Sequence, residues 1–258
     1  MAGALGVLVA VALPAVASAD LYNPTTMQDV PSSYYYPPPA PSYDPPPPYY
    51  PPLNLTSTTP GSGGGSTGGG QPKPTREQRI LGYTRSARVS RTANRQMASV
   101  FAKRLGAGNF DRARFIKEAD KGTFRKAFRA VIKPLGWSDT NYADAVAAYT
   151  VSSYMIANQI AIEDFSTTQR LGAYKVEEAL VKKLMANARM RRMSARGKQI
   201  ATERLNTVTI VQLVQFANGD AAARAAQAQA TRAAGLKTFK GDLTQVELTS
   251  DGFAPRGG

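Results

Sequence analysis

The chain has 258 residues, a formal net charge of +14, and neither cysteine nor histidine. Lacking thiol and imidazole, it cannot build a Ser-His-Asp or Cys-His nucleophile system, a His- or Cys-ligated zinc site, or a disulfide. All 32 Lys and Arg lie at or after Lys73, together with 15 of the 18 acids, so the positive charge belongs to the C-terminal part, which is long enough for one domain with a sizeable core.

Residues 2–13 (AGALGVLVAVAL) are continuously apolar but shorter than the ~20 residues a membrane-spanning helix needs. Pro14 breaks the run, and Ala17 and Ala19 supply the small residues of a signal-peptidase site, so residues 1–19 read as a signal peptide cleaved before Asp20. No Lys or Arg precedes the apolar core, a departure from the usual signal pattern. The implied location is periplasmic or secreted, with no transmembrane span once the signal is removed.

Residues 20–75 hold 15 of the 18 prolines and seven of the 12 tyrosines, so this segment reads as a disordered tether. Its densest part, SSYYYPPPAPSYDPPPPYYPP, is expected to be polyproline II, because consecutive prolines fix φ and remove donors. GSGGGSTGGG at 61–70 follows as a swivel. The interleaved Tyr rings could dock a protein partner; a plain spacer is the alternative.

Residues 76–240 read as a basic all-α domain, a single bundle of five to six helices around a buried central helix. Val89, Ala93, Met97, Val100, Phe101 and Leu105 recur at helical spacing over 86–105, before Gly106 and Gly108. A short helix through Ala119 can be capped by Asn109 or Asp111, and Thr123 can cap another, with Phe124, Phe128, Val131 and Ile132 on one side, ending at Pro134 and Gly136. Residues 139–164 form the central helix. No Lys or Arg occurs from Pro134 to Gln169, and apolar residues from Ala143 to Ile162 cover most of its circumference. Asn158 there reads as a core residue paired with backbone or another side chain. Further helices are expected over 174–192 and from Ser194 to Asn218. TVTIVQLV in the latter is β-branched but has no strand nearby to pair with. Asp220 caps a last Ala-rich helix ended by Gly235, and 241–258 reads as a short hairpin or extended tail.

Two basic runs stand out. Arg76, Arg79, Arg85, Arg88, Arg91 and Arg95 are met only by Glu77, and the last three occupy the helix side opposite Val89, Ala93 and Met97, while Lys182, Lys183, Arg189, Arg191, Arg192, Arg196 and Lys198 have no acid between Glu178 and Glu203. Such a field attracts polyanions, the alternative being a solvated face. For an exported chain the matching partners are anionic cell-envelope polymers or lipid head groups. Nucleic acid is the less favoured partner, because the aromatics sit at core spacing rather than among the arginines.

An enzyme built from these residues would have to use carboxylates, Tyr, Lys or Ser. No Ser precedes a Lys by three positions, and no glycine loop carries a phosphate-binding signature, so no cofactor or metal is expected. A peptidoglycan-cleaving glycosidase needs opposed carboxylates. Of the pairs Glu118/Asp120, Glu163/Asp164 and Glu177/Glu178, the pair Glu163 and Asp164 is the best candidate, at the end of the central helix. Neighbours on a helix point about 100° apart, so no such pair makes a site alone.

The stretch KPLGWSDTNYADAVAAYTVSSYMIAN, a short helix ending in Leu-Gly followed by an Asp/Asn-capped, Ala-rich helix with Tyr and a late Asn, resembles a family of exported bacterial helical domains of unknown function. The resemblance covers roughly residues 80–240 and implies a bacterial source and a helical domain, with no catalytic residues to carry over. The whole reads as an exported non-catalytic binding or envelope-associated module, with the glycan-cleaving enzyme and an extracellular nucleic-acid binder as rivals.

Overall fold

In a computed structural model, residues 76–106, 110–239 and 241–256 are described. The expected signal peptide and tether lie outside the described residues. The described chain is mostly helical, with nine α-helices, more than the five to six expected around the centre, and two short strands. No helix among the described residues is long and apolar enough to cross a membrane.

The helices are α1 (Arg76–Leu81), α2 (Ala87–Leu105), α3 (Arg112–Asp120), α4 (Thr123–Ile132), α5 (Tyr142–Ala157), α6 (Thr167–Ala186), α7 (Ala188–Arg191), α8 (Ala195–Asn218) and α9 (Ala221–Phe239). Short side chains start several of them. Asp111 accepts from the Arg114 amide, Asn141 from Ala143, Ser194 from Gly197 and Asp220 from Ala223. Each such cap satisfies a donor that the helix itself leaves unpaired and contributes about 1 kcal/mol.

Every residue of α5 is buried. Helices α6, α8 and α9 pack against it, and α2 and α4 pack on α8 in turn. Much of α5 is alanine, serine or valine, so neighbouring helices can approach without leaving voids. At one end, Phe101, Phe110, Phe115 and Phe124 join α2, α3 and α4, with ring centroids 4.9–5.8 Å apart along the chain of contacts. Burying each such ring contributes about 1.5–3 kcal/mol. The β-branched stretch TVTIVQLV is helical within α8, where Val208, Ile210, Val211 and Leu213 are buried. Tertiary packing overrides its local strand preference.

Three helices have boundaries that differ from the expectation. The central helix stops at Ala157, well before Asp164, and Gln159 follows at φ 54° in the left-handed region. Asn158 secures that stop: its amide donates to Tyr154 O at 2.9 Å and Leu243 O at 3.0 Å, and its oxygen accepts from Arg256 at 2.6 Å. Helix α6 begins at Thr167 rather than near 174, on a capping box in which Ser166 and Gln169 each bond the other's backbone amide. It ends at Ala186, and the side chain of Asn187 caps α7 instead of letting the helix run on to 192. Finally, Gly235 does not end the last helix, which continues to Phe239 and packs Gly235 against Leu243.

The C-terminal segment forms an antiparallel hairpin, β1 (Val246–Thr249) and β2 (Gly252–Pro255), that lies on α6. Leu248 is buried there, its amide donating to the Tyr154 hydroxyl of α5 at 3.2 Å. Gly172, in the interior of α6, makes this approach possible: a Cβ at that position would stand 1.9 Å from the Thr249 carbonyl oxygen. Gly172→Ala is therefore expected to destabilise the domain by about 1–3 kcal/mol through overpacking, despite alanine's higher helix propensity. Thermal unfolding followed by circular dichroism checks this; an unchanged or raised Tm would show that the hairpin is not held there.

Candidate functional site

The basic residues divide into those that hold the fold together and those that face solvent. Arg85 belongs to the first group. Its guanidinium donates to Asp139 at 2.8 Å and to Glu203 at 3.2 Å, and Arg129 meets the same Asp139 oxygen at 2.8 Å. Glu203 also accepts from Ser90 at 2.8 Å and from Gln199 at 3.0 Å, while Gln199 bonds both backbone groups of Ser86. This knot ties the starts of α2 and α8 to the turn before α5. Burial works against the charge of Arg85, but its bonds to Asp139 outweigh that and hold its pKa above the ordinary value. Burial likewise pushes the nearby Tyr83 phenol up, and its hydroxyl donates to Asp139 O.

Two of the predicted contact cations are also engaged. Half-buried Lys198 donates to Ile80 O at the end of α1, and Arg191 donates to Met185 O at the end of α6, at 3.0 Å. Both place a cation against the unpaired carbonyls of a helix C-terminus, where the backbone dipole favours positive charge. The other eight, Arg88, Arg91 and Arg95 on α2, Lys182 and Lys183 on α6, Arg189 on α7, Arg192 beyond it, and Arg196 on α8, are exposed and make no side-chain hydrogen bond or ion pair among the described residues. The acids that do form ion pairs do so elsewhere: Glu118 with Lys121, Glu178 with Lys175 and Asp242 with Arg232, besides Asp139 and Glu203 in the knot. The contacts from Lys198 and Gln199 to Ile80 and Ser86 bring the second run's end on α8 against the start of α2.

Glu163 and Asp164 are exposed in a turn after α5, so the buried helix end expected for them is not there. A different pair of carboxyls is buried. Asp144, in the first turn of α5, faces Glu177 of α6, and the two are 6% and 8% exposed. Burial pushes Asp144 up to about 7; the Ser138 amide, donating at 2.7 Å, opposes this and the Glu177 carboxyl adds to it. Burial and then the charge of Glu178 raise Glu177 as well. Two such groups side by side cannot both ionise cheaply, so burial and the Glu177 carboxyl together favour the protonated form of Asp144. Only the 33-residue separation of Asp144 and Glu177 hid this pair, because nothing in local spacing links them. No group of three carboxylates gathers as a metal site among the described residues.

Set against known proteins, the chain matches no family model, no curated protein and no solved structure.

The carboxyl pair gives stability a definite pH sign. A carboxyl whose pKa is raised by folding binds more protons in the native state, so its contribution is complete below the unfolded value near 3.8 and is lost as pH rises through about 7. Asp144→Asn is therefore expected to flatten stability between about pH 4 and 7 relative to the parent, and to raise it at pH 8. Urea unfolding of both proteins across that range checks the difference; parallel curves would separate Asp144 from the effect.

Proposed function

We propose that the chain is an exported, non-catalytic module, a helical bundle packed about α5, that contacts anionic cell-envelope polymers or lipid head groups through its basic face. The observation that carries this reading is that eight exposed cations on and beside α2, α6, α7 and α8 form no ion pair among the described residues, although acids elsewhere among them are paired. Cations left without local neutralisation keep their full attraction for an external polyanion and release its counterions on binding. Exposed Lys and Arg also reorient freely, which suits a repeating polymer or head-group layer better than a single shaped ligand. The turn position of Glu163 and Asp164 gives the glycan-cleaving alternative no opposed carboxylates from those residues.

Retention on immobilised heparin, and co-sedimentation with vesicles containing anionic lipid, test the proposal across a salt gradient. Binding is expected to weaken steeply with salt. Replacing Lys182, Lys183, Arg189 and Arg192 together by Gln should lower affinity at least tenfold and make the salt dependence shallower. These side chains hold no other group, so Tm should move little. Salt-independent retention, or unchanged affinity in the quadruple variant, would rule out the basic face as the contact surface.

A further inference from the structure

Three large apolar side chains are exposed among the described residues, and two of them, Leu171 and Tyr174, stand one turn apart on α6. Tyr174 meets the half-buried Trp137 edge-to-face, with ring centroids 6.5 Å apart. Trp137 in turn walls an apolar cleft between the end of α4, the buried α5 and the start of α6, and this cleft holds about 60 Å³. That is room for roughly four waters, enough for the three methylenes of one proline ring and too little for an extended ligand. Leu171, Tyr174, Trp137 and the cleft form one apolar strip, in which Arg170 is the one charged residue lining the cleft.

Aromatic strips of this kind bind polyproline II segments, whose rings are already fixed in shape and lose little entropy on docking. The chain carries a matching sequence of its own. Residues 45–48 are four consecutive prolines, followed by Tyr49, Tyr50, Pro51 and Pro52, and Asp44 is the one charged residue of the stretch 31–52. We propose that residues 44–52 dock on this strip within the same chain, one ring of the Pro45–Pro48 run in the cleft, its neighbours against Trp137, Leu171 and Tyr174, and Asp44 toward Arg170. Three observations argue for this occupant. The charges are complementary, a single acid against a single cation, and residues 20–72 contain no Lys or Arg. The attachment is close, because Gly82 pairs with Asn141 and the Tyr83 amide donates to Thr140 O at 3.1 Å, so the chain after α1 runs beside the turn that bears Trp137. The length suffices, since residues 53–75 can reach about 75 Å when extended, against about 40 Å across a domain of this size. A contact within one chain also benefits from a millimolar effective concentration, which sustains docking of modest intrinsic affinity. The strip does not rest on the basic-face reading.

Trp137 is the chain's one tryptophan, so collisional quenching of its emission by acrylamide reads the docking in the full chain. Replacing Pro45, Pro46, Pro47 and Pro48 together by Ser is expected to raise the quenching. Leu171→Ser and Arg170→Asp should each raise it in the parent but not in that tether variant, and adding Asp44→Arg to Arg170→Asp should restore the parent's protection. A peptide of residues 41–52 should bind the tether variant saturably at one per chain, and the parent about tenfold more weakly because its site is already filled. Circular dichroism confirms that the variants are folded. Equal quenching in the parent and the tether variant, or equal peptide affinity for both, would overturn the docking. Protection that fades as the chain is diluted would assign the strip to a second copy and overturn the contact within one chain.

Discussion

The structure depends on the complete burial of α5. A helix with no exposed residue can exist only if other elements cover it on all sides, and its polar groups must then find partners inside the protein. Two features make this possible here. Its small side chains allow close approach, and several of its polar residues are placed where bonds exist: Asn141 caps its start, Thr150 donates back to Val146 O, and Tyr154 accepts from the hairpin amide of Leu248. Asp144 is the one charged residue of the helix. It accepts from the Ser138 amide, and burial raises its pKa, so keeping it inside costs more as pH rises.

The same constraint explains the division of labour among the arginines and lysines. The turn leading into α5 carries a buried carboxylate, Asp139, which requires cations close by; Arg85 and Arg129 supply them, and Glu203 balances Arg85 from α8. With several acids committed to such pairs, the exposed cations of α2, α6, α7 and α8 have no ion-pair partner among the described residues. The positive field on the surface is therefore partly a consequence of how the interior is neutralised.

Helical character was legible in the order of residues because amphipathic spacing at Ala93, Met97 and Phe101, and at Phe124, Phe128 and Ile132, reflects a solvent boundary that each helix meets by itself. The same holds for the charge-free, apolar stretch that became α5. Helix ends were less legible. The stop at Ala157 depends on Asn158 reaching the Leu243 carbonyl, a partner 85 residues away, and the break at Asn187 depends on a side chain choosing to cap α7. Gly172 reads as a weak helix position until the Thr249 carbonyl is seen lying against it. Among the predicted contact residues, exposure of the arginines on α2 followed from periodicity, whereas the diversion of Lys198 to the end of α1 did not.

Composition and periodicity by themselves determined that the domain is helical, positively charged and without thiol or imidazole chemistry, because these properties follow from residue identity and local spacing. Tertiary structure alone decided which charges are neutralised and which carboxyls are brought together in the interior. Those outcomes depend on distances between residues far apart in the chain, and it is packing around α5 that sets them.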